Sequence, residues 1–186
     1  MSESPNKRSY LKRLPKNYYQ GAAWVHWVMT IDGRRTGWLD PGMHATFRET
    51  MLHTLARYRL VCPVYTLMPD HAHVMWCGCA LSSDQLIASP FFRRAWSDAL
   101  RHRGFALQKQ PYDHVLLKKE RDPHAFEDTC AYIMKNPERA KLVEEWRDWE
   151  FGGSLVAGFP RLAPSDERFW PRFWKAYNGM RDQDTL

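Results

Sequence analysis

The sequence predicts an α+β layer fold, a small antiparallel sheet covered by helices, and three observations carry that prediction. Short stretches rich in β-branched and aromatic residues occur at 22–31 and, interrupted once, across 62–77. Apolar residues instead recur at helical spacing at Phe47, Met51, Leu52 and Leu55, and again at Phe92, Trp96, Ala99 and Leu100. Finally, an Asp-Pro pair opens a helical stretch twice, at Asp40-Pro41 and Asp122-Pro123, where the Asp caps the first turn and the proline supplies a pre-set φ.

Taken in order, residues 1–20 are polar, basic and tyrosine-bearing, with Pro5 and Pro15, and read as an extended arm. AAWVHWVMTI at 22–31 is a first strand that ends in the Asp32-Gly33 turn. The first helix then runs from Asp40-Pro41 to about Arg59. CPVYTLM and HAHVMWC are two strands broken by Met68-Pro69-Asp70, a β-hairpin. From Ser82 the pattern is helical, interrupted at Ser89-Pro90, with Arg93, Arg94, Arg101 and Arg103 off the apolar face. Residues 105–118 read as extended, with VLLK as the last strand. The helix begun at Asp122-Pro123 continues through YIMK until Pro137 ends or kinks it. An aromatic tail closes with FWPRFWKAY at 169–177. No internal repeat is evident, and the length suits one domain, so the arm (1–20), the body (21–155) and the tail (156–186) are read as parts of one unit.

Composition narrows the function. With 44% hydrophobic and 14% aromatic residues the chain is not of the disordered class. Its apolar segments are too short and too often interrupted to span a membrane, and the N-terminus lacks the apolar core of a signal peptide, so a cytoplasmic location is expected. Cys62, Cys77, Cys79 and Cys130 lack paired C-x-x-C spacing and read as reduced, buried hydrophobes. The net charge is +6, and it is concentrated: residues 1–16 hold five basic and one acidic group, and residues 93–121 hold eight and three. Two basic blocks on an otherwise balanced chain suit a polyanion, because each phosphate contact with Lys or Arg releases condensed counterions.

Two segments carry candidate chemistry. Along a strand successive side chains alternate faces, so His71 and His73 project together while Ala72 and Val74 point the other way. Such a pair is either a two-imidazole metal chelate or a buried, hydrogen-bonded couple. On the helix at 123–136, Phe126, Cys130 and Ile133 form the core stripe, and Tyr132 and Asn136 stand one turn apart on a stripe roughly 100° around from it. A tyrosine there is both held and reachable, but its hydroxyl is a poor nucleophile until it or its target is activated. Packing is the alternative role for Tyr132, and capping the helix begun by Pro137 is the alternative for Asn136.

MPDHAHV, followed 59 residues after its second histidine by YIMKNPERAKLV, resembles the single-tyrosine HUH transposases, specifically the REP-associated tyrosine transposase branch of the IS200-like family. The likeness extends to Tyr112-Asp113-His114 and spans roughly residues 18–155. It departs from the family at Asp70, where members usually carry Asn, and at Leu117-Lys118, where Ile-Arg is common.

The resemblance implies a ferredoxin-like or RRM-like antiparallel sheet with helices on one face, the HUH endonuclease fold. It implies that His71, His73 and Asn136 hold a divalent metal, Mn2+ or Mg2+, and that Tyr132 attacks a phosphodiester to leave a 5′-phosphotyrosine and a free 3′-hydroxyl. The chain would then be a bacterial, nucleoid-associated transposase that cleaves and rejoins single-stranded DNA beside hairpins of repetitive extragenic palindromes, as monomer or homodimer. Lys7, Arg8, Lys12, Arg13, Arg93, Arg94, Arg101, Arg103, Lys118 and Lys119 are the residues expected to follow the DNA backbone. A domesticated, non-catalytic DNA-hairpin binder is the alternative. A histidine-triad hydrolase needs H-x-H-x-H, which Met75 breaks, and a metal-only phosphodiesterase would not require Tyr132.

Overall fold

A computed structural model describes residues 12–182, with the side chain of Asp182 left aside. Five strands, β1 (Trp24–Thr30), β2 (Leu60–Met68), β3 (His71–Gly78), β4 (Tyr112–Val115) and β5 (Gly152–Leu155), form one antiparallel sheet in the order β4-β1-β3-β2-β5. The helices are α1 (Pro41–Tyr58), α2 (Gln85–Arg101), α3 (Pro123–Met134), the single turn α4 (Asn136–Arg139) and α5 (Phe169–Asp182). The α+β class is as expected, and the central strands β1 and β3 hold the histidine-bearing segments side by side.

Local chemistry sets the helix ends. Asp40 accepts a hydrogen bond from the Met43 amide, and Asp122 accepts from the amides of His124 and Ala125, each with proline in the first turn. Helix α3 stops at Met134 because Pro137 has no amide to donate back, and α4 follows as a separate turn. Pro63 likewise has no amide for the ladder, and β2 bulges there, shifting register against both neighbours between Val61 and Tyr65. At the end of β3 a side chain on Gly78 would come within 1.8 Å of the Gly21 carbonyl oxygen, so only glycine allows that approach.

Helices cover both faces of the sheet, not one. On the first face Val25, Trp27, Ala72, Val74 and Trp76 pack with Met43, Phe47, Met51 and Leu55 of α1 and with Ala88, Phe92, Trp96 and Leu100 of α2. On the second, Trp24, Val64, Met75 and Cys77 pack with Phe126, Cys130 and Ile133 of α3 and with Phe169, Phe173 and Tyr177 of α5. The Tyr177 hydroxyl accepts from Trp24 Nε1 at 2.9 Å and donates to the Gly78 carbonyl at 2.9 Å, which pins α5 to the sheet. The aromatic tail therefore builds a second core.

Three element readings need correction. The strand expected at VLLK lies earlier, at Tyr112–Val115, and β5 at Gly152–Leu155 is additional. Helix α2 runs unbroken through Pro90, whose cost is one missing amide bond while four apolar side chains of the helix are buried in the first core. The expected extended arm lies outside the described residues up to Leu11, and its remainder docks on the body. There Lys16–Tyr19 form a 3-10 turn, Tyr19 is buried and donates to Asp113, and Lys16 pairs with Asp84 at 3.3 Å.

Candidate active site

The histidine pair sits on the second face, in the same row of side chains as Met75 and Cys77. His73 is paired with Val28 of β1 and Thr66 of β2, and His26 of β1 lies diagonally across from it. A continuous chain of hydrogen bonds follows. Arg34 Nη1 donates to Asp70 Oδ2 at 2.8 Å, and His71 Nδ1 meets Asp70 Oδ1 at 2.5 Å. His71 Nε2 and His73 Nε2 stand 2.9 Å apart, and His73 Nδ1 meets His26 Nε2 at 3.0 Å.

Proton positions follow from what each partner can do. An ionised carboxylate only accepts, so His71 Nδ1 carries a hydrogen, and in the neutral ring His71 Nε2 is then a bare lone pair. His73 Nε2 then donates to it, and His73 Nδ1 accepts from His26 Nε2. Burial, reinforced by the neighbouring imidazoles, pushes His73 down to about 2, and burial with His114 alongside takes His26 down to about 4, so both rings are neutral near pH 7. Burial pulls the Asp70 carboxyl up, and hydrogen bonds from His71 and Arg34 outweigh it, holding the group below the usual carboxylate range.

This donor set fits a divalent cation. The fit is one of chemistry, since a bare imidazole nitrogen is a good ligand for such an ion, while the 2.9 Å between the two Nε2 atoms is the length of the hydrogen bond that joins them. Among the described residues no group of three or more His, Cys, Asp or Glu side chains is arranged to hold a metal. Asp70 and His26 bind the outer nitrogens of the pair, and any third donor among the described residues is of another residue type.

Helix α3 brings the remaining candidates to the same face. Phe126, Cys130 and Ile133 are fully buried against the sheet, as their spacing predicts, and Tyr132 is 49% exposed on the helix flank. Asn136 Nδ2 donates to the carbonyls of Tyr132 at 3.0 Å and Ile133 at 3.1 Å. Both partners are acceptors, so the amide nitrogen faces the helix and Oδ1 is turned away from it. The side chain does not cap α4, which corrects the capping alternative. Arg139, one turn past Asn136, lays its guanidinium over the Tyr132 ring at 4.4 Å and lies close enough to His73 to disfavour its protonation.

The basic residues do not gather at this site. Lys7 and Arg8 lie outside the described residues, and Lys12 is exposed. Arg13 binds Asp113 at 3.0 Å and sits over Trp27. Helix α2 packs on the opposite face from the histidines. Its Arg93 donates to the carbonyls of Gln108 and Lys109 and is half-buried, so it is committed to the fold. Arg94 is exposed, Arg101 pairs with Asp98 at 2.9 Å, and Arg103 pairs with Asp40. Lys118 and Lys119 are exposed in the 3-10 turn that leads into α3.

His26, Asp70 as the partner of His71, and Arg139 are the participants that sequence reading did not assign. Alternation along WVHWVMT places His26 opposite Val25 and Trp27 and so signals its face, but only the register of β1 on β3 reveals that it meets His73. None of the nine tryptophans is exposed: Trp24, Trp27, Trp38, Trp76 and Trp96 are buried in the cores, and Trp146, Trp149, Trp170 and Trp174 are partly buried. All four cysteines are free and buried, as read.

No protein-family model matches the chain, and no curated protein matches it. Among solved structures it is similar to a REP-associated tyrosine transposase bound to a REP hairpin, with a TM-score of 0.64 over 77% of this chain and 81% of that one, at 17% identity. The two share the five-stranded α+β fold.

Proposed function

We propose that this chain is a metal-dependent, single-tyrosine nuclease and strand transferase that acts on single-stranded DNA beside a hairpin. The observation that carries the reading is the placement of two imidazoles, their Nε2 atoms 2.9 Å apart, and the tyrosine helix on one sheet face, with the Arg139 guanidinium beside the Tyr132 ring and near His73. The shared fold with a hairpin-bound tyrosine transposase supports the DNA class. REP-type palindromes are the substrates to try first, because such a hairpin is what that neighbour binds.

In this reading His71 Nε2, His73 Nε2 and Asn136 Oδ1 hold Mn2+ or Mg2+. The ion, when bound, polarises the scissile phosphate and offsets the charge that develops on it. Tyr132 Oη attacks phosphorus, the bond to the 3′ oxygen breaks, and a 5′-phosphotyrosine remains. The phenol proton passes to solvent, which reaches this half-exposed side chain, and the departing 3′ oxygen takes one up from solvent. Arg139 meets a phosphate oxygen beside the Tyr132 ring. Because the covalent link keeps one phosphodiester for one phosphodiester, the 3′-hydroxyl of another strand can displace the tyrosine without ATP. Lys118 and Lys119, exposed in the turn that leads into α3, hold the flanking backbone.

The test is incubation of the protein with Mn2+ and labelled single-stranded DNA carrying palindromic hairpins, followed by denaturing electrophoresis. A covalent adduct is expected with the wild type and is expected to vanish in Tyr132→Phe and His71→Ala. An adduct that persists in Tyr132→Phe would overturn the choice of nucleophile. Hairpin binding without any adduct would favour the non-catalytic binder.

A further inference from the structure

The outer nitrogens of the histidine pair are both taken, and taken by residues that the proposed chemistry does not use. Asp70 occupies one side and His26 the other. Neither is loosely placed. The Asp70 carbonyl accepts from the Ile31 amide at 2.9 Å, which ties the β2–β3 turn to the end of β1, and Arg34 holds Asp70 Oδ2 so that Oδ1 faces His71. His26 is 8% exposed in a central strand, its ring centroid 5.1 Å from that of His73.

We propose that Asp70 and His26 are positioning residues, which fix the orientation and hydrogen placement of His71 and His73 so that both Nε2 lone pairs can face one divalent cation. The proposal rests on the reading of the pair as a cation site. A ligating imidazole has to be bare on the nitrogen that faces the ion, and the hydrogen bond made by its other nitrogen decides whether it is. Asp70 does this for His71 outright. An Asn at this position could present either an oxygen or an NH2 to Nδ1, so it would not enforce the choice, whereas a carboxylate can only accept.

The His73 side requires a rearrangement. In the hydrogen-bonded chain His73 carries its hydrogen on Nε2 and points it at His71. To present a lone pair there it has to carry the hydrogen on Nδ1 and donate it to His26 Nε2. His26 accepts only if its own hydrogen moves from Nε2 to Nδ1. Each neutral ring keeps one hydrogen, so the count across the row is unchanged and no proton is released. Cation uptake is thereby read out at His26, a residue that does not itself touch the ion.

Two measurements on the full-length protein test this. Mn2+ affinity, followed by electron paramagnetic resonance titration, is expected to fall tenfold or more in Asp70→Ala and in His26→Phe, and to stay within twofold in Asp166→Asn, which lies in the tail. His26→Gln, which keeps an acceptor for His73 Nδ1, is expected to recover part of the loss. Nitrogen-15 imidazole spectra of the wild type, needing no variant to fold, are expected to show the His26 hydrogen shifting from Nε2 to Nδ1 as diamagnetic Zn2+ is added. If the wild type binds Mn2+, loses it in His71→Ala, and yet keeps it within twofold in Asp70→Ala and His26→Phe with an unmoved His26 tautomer, the positioning role is overturned while the cation site stands. If the wild type binds no Mn2+, the cation site itself falls and this proposal with it.

Discussion

Arg139 illustrates what one residue adds that a motif does not disclose. Its guanidinium lies 4.4 Å from the centre of the Tyr132 ring and its charge is felt at His73, so it neighbours both the proposed nucleophile and the imidazoles. A planar fork of donors there suits a phosphate oxygen better than an ammonium would. Arg139→Ala is expected to slow single-turnover adduct formation by about a hundredfold, the scale of losing one donor to developing negative charge, with Arg139→Lys recovering only part. Unchanged single-turnover rates in Arg139→Ala would remove the residue from the site. The same corner shows the limits of reading residues in one dimension. Strand and helix periods place His71 with His73 and Tyr132 with Asn136 on shared faces, because those neighbours are two to four positions away, while their roles are read from the family resemblance. His26 and Arg139 are not placed this way, since one depends on cross-strand register and the other on how a new turn leaves α3.

Elements with strong local chemistry were legible: α1 and α3 through their Asp-Pro caps, β2 and β3 through the Met68-Pro69-Asp70 turn. Elements defined by what lies beside them were not. β5 is Gly-Gly-Ser-Leu, with no strand propensity in half its length, and exists because β2 offers an open edge. Pro90 looked like an interruption because proline in a helix costs a bond, but the side chains α2 buries around it outweigh that cost. The tail shows the same dependence. FWPRFWKAY becomes α5 because Phe169, Phe173 and Tyr177 complete the core above Trp24 and Phe126. Phe173 is fully buried and stacked on Tyr177 at 5.7 Å. Phe173→Ala is therefore expected to cost about 3–5 kcal/mol in urea unfolding, the range for deleting a buried aromatic. A loss below about 1 kcal/mol would mean that α5 rests on the body without completing its core.

At the scale of the whole molecule the sheet divides labour. Its first face carries α1 and α2 over a core with half-buried His44 at its margin, and its second carries the histidine row and packs with α3 and α5. Three histidines are held neutral by this packing, chiefly by burial: His26 at about 4, His44 at about 4 with Arg48 adding to the effect, and His73 at about 2. An unfolded histidine titrates near 6.5. As pH falls through 6.5 the unfolded chain takes up protons that the folded chain refuses, so stability is complete above about pH 7 and declines from 6.5 toward 4. Each such histidine contributes a slope approaching about 1.4 kcal/mol per pH unit in that window. His26 and His44 level off below about 4, and His73 continues to lower pH. The depressed carboxylates, among them Asp70 and Asp84, lose their own contribution only in the more acid range, so measurements between pH 7.5 and 4.5 isolate the histidines. In the presence of a chelator, the urea midpoint is expected to fall steadily across that interval, and His44→Gln, remote from the cation site, to flatten the fall by about a third. A midpoint constant from pH 7 to pH 5 would mean that these rings are solvated or charged in the fold, and the neutral His73 at the centre of the site would lose its physical basis.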